Sequence, residues 1–251
     1  EMSASLVGSE MCIRDRKIMG LSENQRVENF IAASPFNYEE NCLLYIPDSP
    51  LNVQIGSEKE VEYLAEQICR LVEAAHGHTL VLFTSYALMG AVYNQIKDRL
   101  SFPLMEVWRH SSDMIHKFKQ ANNAVLFAAG SCWEGVDFPG DMVSSLIIVR
   151  LPFPVPDPLS EAEREQYPSL QDYIRAVIIP DMQVKLRQGF GRAIRTETDT
   201  CVISVLDHRA APGERYHQAV LEALPNLRIT RKIEEVEEFI RAKKSSDYFL
   251  S

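Results

Sequence analysis

Three short motifs carry the side chains of this sequence that could do chemistry, and each motif follows an apolar run. The first runs from Phe83 to Tyr86 and contains two neighbouring hydroxyl groups, on Thr84 and Ser85. Such hydroxyl groups commonly cap a helix, where they accept hydrogen bonds from otherwise unsatisfied backbone amides. The same hydroxyls and amides can bind a phosphate of a nucleic-acid backbone. The first motif therefore allows two interpretations, a structural cap or a phosphate contact.

The second motif runs from Gly130 to Gly140 and combines three glycines with the carboxylates of Glu134 and Asp137. The glycines let the backbone approach a ligand closely, and the carboxylates can accept hydrogen bonds from sugar hydroxyls or basic side chains. The paired carboxylates could also serve acid–base catalysis or hold a metal, but no histidine accompanies them in this motif. A glycine-rich turn packed around Trp133 is the structural alternative.

The third motif runs from Gln188 to Arg195. On a continuous helix, Gln188, Arg192 and Arg195 fall at positions i, i+4 and i+7, so one face would present an amide and two guanidinium groups. Each glycine in this motif lowers helix stability by about 1 kcal/mol, which is consistent with a backbone that must pack closely. A row of fixed positive charges suits a γ-phosphoryl group during its transfer, whereas the alternative is a solvated basic face.

The elements that must position the three motifs alternate between short apolar strands and amphipathic helices. β-Branched and aromatic runs predict strands at residues 79–83, 124–128, 145–149 and 201–206, and the short apolar run 43–46 indicates either a strand or an extended linker that enters the domain. The first predicted helix follows Ser57, which forms a capping-box pattern with Glu60. Further helices are predicted at residues 88–100, 112–120, 160–166, 170–195, 214–223 and 233–243. This alternation predicts an α/β fold, a parallel sheet with helices on both faces, in which ligands bind at the carboxyl ends of the strands.

Composition and charge exclude several classes of protein. The chain has 251 residues, of which 46% are hydrophobic, enough for one or two domains with a sizeable core. Its apolar runs stay well short of the roughly 18 residues that span a bilayer, so we expect no membrane partner and, without a secretory pattern, a cytoplasmic location. The net charge of −9 means that a polyanionic partner must meet a local basic patch. Five dispersed cysteines without a C-x-x-C pair predict no metal site in this chain.

In this order, at the ends of successive α/β units, the three motifs resemble motifs IV, V and VI of the second motor domain of superfamily 2 helicases. The third motif has the pattern Q-x-x-G-R-x-x-R, and segments 34–47 and 151–158 also resemble DNA helicases of the DinG/XPD type. The resemblance implies a RecA-like fold. It further implies that residues 51–251 are the C-terminal RecA-like domain and that residues 17–50 link it to an N-terminal motor domain outside this chain.

The first residues of the chain carry a different resemblance. Residues 6–16 resemble the in-frame translation of an adapter used in sequencing libraries. We therefore expect residues 1–16 to be a disordered leader that is not native to the protein. An ordinary polar leader is the alternative.

The helicase resemblance implies that ATP and Mg²⁺ bind in the cleft between the two motor domains. Gln188, Arg192 and Arg195 would face the phosphates, with Arg195 as the first choice for the arginine finger. Asp137 would contact the ribose or an interdomain hydrogen-bond network, and Glu134 would orient the second motif. The nucleotide-binding set is Gln188, Arg192, Arg195, Glu134, Gly135, Asp137 and Gly191.

The resemblance also implies that single-stranded DNA runs across both motor domains, with translocation from 5′ to 3′. Backbone contacts in this chain would come from Thr84, Ser85 and Ser131. Trp133 would stack on a base or, alternatively, pack in the core. The implied activity is that of an ATP-dependent DNA helicase acting in repair or replication.

The sequence departs from the family pattern at the residues that would hold the nucleotide in a complete motor. It contains no G-x-x-x-x-G-K-[ST] and no D-E-x-H or D-E-x-D, so we expect this chain alone to be inactive as an ATPase. An iron–sulfur cluster is possible in the full-length protein but would belong to its N-terminal half. Two other interpretations stay open. One is a catalytically silent RecA-like module that binds a repair or replication partner. The other is a nucleotide-binding α/β hydrolase, which would need a base or metal triad that the sequence does not supply.

Overall fold

A computed structural model describes residues 36–48, 53–108, 112–133, 138, 140–194 and 196–250. Within these ranges the strands form one seven-stranded sheet in the order β3-β4-β2-β5-β6-β1-β7, and every pairing is parallel. The strands are β1 (Cys42–Tyr45), β2 (Thr79–Phe83), β3 (Leu104–Val107), β4 (Val125–Ala129), β5 (Ser145–Ile148), β6 (Cys201–Val205) and β7 (Arg228–Thr230). The leader predicted over residues 1–16 lies outside the described residues.

Helices connect the strands and cover both faces of the sheet. They are α1 (Tyr38–Asn41), α2 (Glu58–Ala74), α3 (Tyr86–Ile96), α4 (Ser112–Gln120), α5 (Pro158–Arg164), α6 (Leu170–Tyr173), α7 (Ile179–Phe190), α8 (His217–Ala223) and α9 (Ile233–Lys243). A π-helical segment, Ile174–Ile178, joins α6 to α7, and a 3₁₀ turn, Gly130–Trp133, follows β4. No helix of the described ranges combines the length and apolar character needed to cross a membrane.

The core consists of two apolar clusters, one on each face of the sheet, because successive residues of a strand point to opposite faces. In β2, Leu80 and Leu82 belong to the cluster beneath α4, α7 and α8, whereas Val81 and Phe83 belong to the cluster beneath α2, α3 and α9. All five residues of β2 are buried. The predicted α/β class, with a parallel sheet between two helical layers, is confirmed.

Strand β1 is an inner strand of the sheet. Its residues pair with β6 on one side and with β7 on the other, and all four are buried. The predicted linker, residues 17–50, includes this strand, and the boundary between linker and domain stays a prediction. Of that predicted linker, residues 36–48 are described, and residues 17–35 and 49–50 lie outside the described ranges.

Candidate functional site

The indole of Trp133 brings the three sequence motifs together. Trp133 is 7% exposed, and its Nε1 donates a hydrogen bond to the backbone oxygen of Phe83 at 3.0 Å. Gly189 of α7 lies against the other part of the ring, so close that a Cβ there would be 3.0 Å from Cζ3 of Trp133. One side chain of the second motif thus contacts the last residue of β2 and the end of α7. Of the two roles expected for Trp133, this burial favours packing over base stacking.

The first motif occupies the carboxyl end of β2 and the start of α3. Thr84 is exposed, directly after the buried Phe83. Ser85 is the N-cap of α3, and its hydroxyl oxygen accepts a hydrogen bond from the backbone N–H of Leu88 at 3.3 Å. The hydroxyl of Ser85 therefore caps the helix, whereas Thr84 is exposed at the edge of the sheet where ligands of parallel sheets bind.

The second motif begins with a tight turn after β4. Gly130 has a φ of +64°, and a Cβ at this position would lie 3.0 Å from the hydroxyl oxygen of Tyr86. Both the backbone conformation and the close approach of Tyr86 require glycine here. Three predicted site residues of this motif, Glu134, Gly135 and Asp137, lie outside the described residues, as does the side chain of Ser131.

The third motif does not form the continuous helix predicted through residue 195. Helix α7 ends at Phe190, and Gly191 is its C-cap, with its N–H donating to the backbone oxygen of Arg187 at 3.0 Å. Gln188 is exposed in the last turn of the helix, whereas Arg192 is half-buried in the turn that follows. Gln188 and Arg192 therefore do not share a continuous helix, and the turn after α7 is closed by hydrogen bonds such as that from the backbone N–H of Arg192 to the oxygen of Gly189 at 2.9 Å. Arg195 lies outside the described residues.

Two arginines that sequence reasoning missed lie next to the carboxyl ends of the central strands. Arg150 follows β5, and its Nε donates to Oε1 of Glu60 at 3.0 Å, while its Nη2 pairs with Oε2. Glu60 is only 5% exposed and also accepts the backbone N–H of Gly56 at 2.5 Å. The predicted capping box is only half formed: Ser57 accepts the N–H of Glu60, but the carboxylate of Glu60 turns to the arginine. The pair fixes the start of α2 to the end of β5.

The second missed arginine belongs to a buried pair after β6. Asp207 accepts a hydrogen bond from the backbone N–H of Leu151 at 2.9 Å. It also accepts a bidentate pair from Arg209, whose Nε lies 2.9 Å from Oδ1 and whose Nη2 lies 2.7 Å from Oδ2. Burial raises the pKa of Asp207, but the hydrogen bonds from Arg209 and their charge outweigh it, so the pKa lies below the ordinary value of 3.8. The guanidinium of Arg209 also lies over the ring of Phe153, 5.0 Å from its centroid. This network ties the loop at 151–158 to the sheet.

The described part of the site offers donors rather than metal ligands. No group of three or more histidine, cysteine, aspartate or glutamate side chains in the described ranges could hold a metal ion. The carboxyl ends of β2 and β4 carry the exposed Thr84 and the glycine turn at Gly130, and the end of α7, with Gln188 and the following Arg192, reaches them through the contact of Gly189 with Trp133. Amides and guanidinium groups donate hydrogen bonds to phosphate oxygens.

Comparisons with known proteins identify the family to which the chain is similar. Residues 68–227 match the family described as the helicase C-terminal domain. The chain is 36% identical over 218 residues to the ATP-dependent DNA helicase YoaA of Haemophilus influenzae, a match that covers 85% of this chain and 33% of that protein. It is 33% identical over 217 residues to the ATP-dependent DNA helicase DinG of Photobacterium profundum, covering 82% of this chain and 31% of that protein. The chain thus spans about a third of the length of these curated relatives.

A solved structure described as an XPD helicase shares the fold. Its TM-score is 0.57 at 24% sequence identity, and the match covers 76% of this chain and 35% of the other. At this level of identity the likeness establishes the RecA-like fold of the chain.

Proposed function

This chain belongs to the helicase C-terminal domain family, and from that premise we propose that it is the second motor domain of an ATP-dependent DNA helicase of the DinG type. The observation that carries the proposal is the contact of Trp133 with both Phe83 and Gly189. Through it, the candidate DNA-binding hydroxyls after β2 and the candidate nucleotide-binding side chains after α7 share one edge of the sheet. A motor needs both functions in one rigid body if changes at the nucleotide are to move DNA.

The nucleotide side of the proposal rests on the end of α7. Arg192 has only donors, and the amide of Gln188 can donate through its NH₂ group, which suits the phosphates of ATP held with Mg²⁺ by an N-terminal motor domain. When bound, that nucleotide supplies the phosphoryl group that is transferred to water. Arg195 is our candidate arginine finger, which would stabilise the negative charge that develops during transfer. Glu134, Gly135, Asp137 and Gly191 would complete the set.

The DNA side rests on the ends of β2 and β4. Thr84 is exposed and free of a capping role, so its hydroxyl suits a phosphate contact from single-stranded DNA; Ser85 would contribute through the α3 N-terminus that it caps, and Ser131 through the turn after β4. The direction of translocation that we propose is 5′ to 3′, and the setting is DNA repair or replication. A cytoplasmic location would accompany that role.

The decisive experiment is Arg195→Ala in the complete enzyme, with DNA-stimulated ATP hydrolysis as the readout. An arginine finger contributes about 10³ to 10⁵ in rate, so hydrolysis should fall by that factor while the thermal unfolding curve stays unchanged. Lys185→Ala is the matched control, since Lys185 is an exposed cation of α7 just before the third motif. Hydrolysis at the wild-type rate in Arg195→Ala would refute the arginine-finger assignment, whereas a complete wild-type protein without DNA-stimulated hydrolysis would refute the motor assignment and favour the silent interaction module.

A further inference from the structure

Trp108 is an exposed aromatic side chain at the same edge of the sheet as the first two motifs. It directly follows β3, the neighbour of β4, and 45% of its surface is exposed. Its indole lies nearly parallel to the ring of Tyr86, with 5.6 Å between centroids and 16° between planes. Tyr86 begins α3, so it stands two residues after Thr84. An aromatic pair thus adjoins the hydroxyl that we assign to a DNA phosphate.

The surroundings hold this pair in place. Trp108 lies across α3 at Gly90, where a Cβ would be 3.7 Å from Cη2 of the indole, an ordinary van der Waals contact. Tyr86 is half-buried, and its hydroxyl adjoins Gly130 in the turn after β4. The indole is therefore supported by two residues one helical turn apart and, through Tyr86, by the second motif. A platform ordered in advance loses little conformational entropy when a ligand binds.

From this arrangement we infer that Trp108 is a stacking platform for one base of single-stranded DNA that crosses the carboxyl ends of β2, β3 and β4. This inference rests on the proposed function, and it names Trp108 as a residue with which the domain would bind DNA. Every base has a π-face, so an exposed indole stacks on DNA without sequence preference. Trp133, the other tryptophan of the chain, is buried and cannot play this part.

Stacking contacts and phosphate contacts can be distinguished by how the affinity for DNA depends on salt. With a net charge of −9, the chain as a whole repels DNA, and phosphate contacts come only from local groups. Phosphate contacts release counterions and so set the slope of log affinity against log salt. Stacking of a base on an indole releases no counterions. Loss of Trp108 should therefore lower the affinity for single-stranded DNA and leave that slope unchanged.

The test uses the 251-residue chain and fluorescein-labelled oligothymidylate, with binding followed by fluorescence anisotropy across a salt series. Trp108→Ala should weaken binding about 5- to 140-fold, the equivalent of about 1–3 kcal/mol per stacked base. Trp108→Phe should restore most of the affinity, because a smaller aromatic face still stacks. The control is Ile229→Ala at the far edge of the sheet, where Ile229 is 46% exposed, and its affinity should equal that of the wild type.

A second ligand separates stacking from other effects of the substitution. An abasic oligonucleotide of equal length keeps the phosphates and lacks the bases, so the wild type and Trp108→Ala should bind it equally. Oligothymidylate should also quench the tryptophan fluorescence of the wild type, and Trp108→Ala should abolish that quenching while the emission of Trp133 persists.

The failures of the two proposals can be told apart. If the wild-type chain shows no saturable binding to oligothymidylate, the DNA-binding function and the platform both fail. If it binds and Trp108→Ala binds equally well, or if wild-type affinity is the same for abasic DNA, only the platform is overturned.

Discussion

The contact between Gly189 and Trp133 predicts that adding a single methyl group at residue 189 destabilises the domain. The Cβ of Gly189→Ala would lie 3.0 Å from Cζ3 and 3.1 Å from Cε3 of the indole, and 3.4 Å from Cδ1 of Leu82. The indole cannot retreat freely, because its Nε1 is bonded to the oxygen of Phe83 and its ring is buried. The indole or α7 must therefore shift by a few tenths of an ångström, which strains that hydrogen bond or the packing of α7 on the sheet.

Two opposing effects set the size of the change. Alanine is favoured over glycine in a helix by about 1 kcal/mol, which stabilises the variant. Overpacking of a filled core typically costs about 1–3 kcal/mol. The net expectation for Gly189→Ala is a loss of about 0–2 kcal/mol in the free energy of unfolding.

Gly191→Ala provides a matched control two residues away. A Cβ at Gly191 would meet only the backbone oxygens of Gln188 and Arg187, at 3.5 and 3.6 Å, and the backbone there already has a φ of −62°. Alanine fits this conformation and should stabilise the domain by about 0.4–1 kcal/mol, chiefly by restricting the unfolded chain. The two variants should therefore differ by about 0.4–3 kcal/mol, or roughly 1–12 °C in Tm for a domain of this size.

Thermal and urea denaturation, followed by circular dichroism, measure this difference. The tryptophan emission of Gly189→Ala should also change, because the environment of Trp133 is disturbed, whereas that of Gly191→Ala should match the wild type. If Gly189→Ala proves as stable as Gly191→Ala, the indole yields without cost and the argument that it locks the motifs together is wrong.

Two further predictions concern the buried ion pairs at the same edge. Arg150→Ala leaves the carboxylate of Glu60 buried without its ion-pair partner, so the free energy of unfolding measured in urea should fall by about 3–5 kcal/mol. Arg99→Ala removes an exposed ion pair and should lower it by less than about 1 kcal/mol. Equal losses in the two variants would contradict the argument from burial. The carboxylate of Asp207 has a lowered pKa, so its stabilisation is present above its ordinary value of 3.8 and is lost as the pH falls through the folded value. Asp207→Asn should therefore be less stable than the wild type at pH 7, with a gap that narrows below pH 3.8; a gap that stays constant across an acid titration would show that this ion pair does not act through charge.

The sequence predicted the strands that are buried on both faces and missed those at the edges. Strands such as β2 are continuous apolar runs, which is how a strand between two helical layers must read. β3 lies at one edge and contains Glu106, and β7 lies at the other edge with Arg228 and Ile229 exposed. Neither has the unbroken run or the strict alternation that identifies a strand, because half-covered edges accept polar side chains.

The site was predictable in its motifs but not in its contacts. Positions directly after the strands identified Thr84 and Gly130, and the same rule applied to β5 and β6 would have found Arg150 and Asp207. The partner of Arg150, however, is Glu60, which is 90 residues away in the chain. No local pattern reports such a contact, and the local pattern around Glu60, a capping box, indicated a different partner for its carboxylate.

The burial of Trp133 would also let one domain serve the two ligands that we propose. The hydrogen bond to Phe83 fixes the indole to the residue before Thr84, and the contact with Gly189 fixes it to the residue after Gln188. A displacement of α7 relative to β2 must therefore compress the indole against Gly189 or lengthen its hydrogen bond, and close-packed interiors resist both. The groups that we propose for DNA and for the nucleotide would thus move as one body. If the chain is the motor domain that we propose, these contacts favour a cycle in which the whole domain rotates against its N-terminal partner, because Trp133 couples the end of β2 to the end of α7.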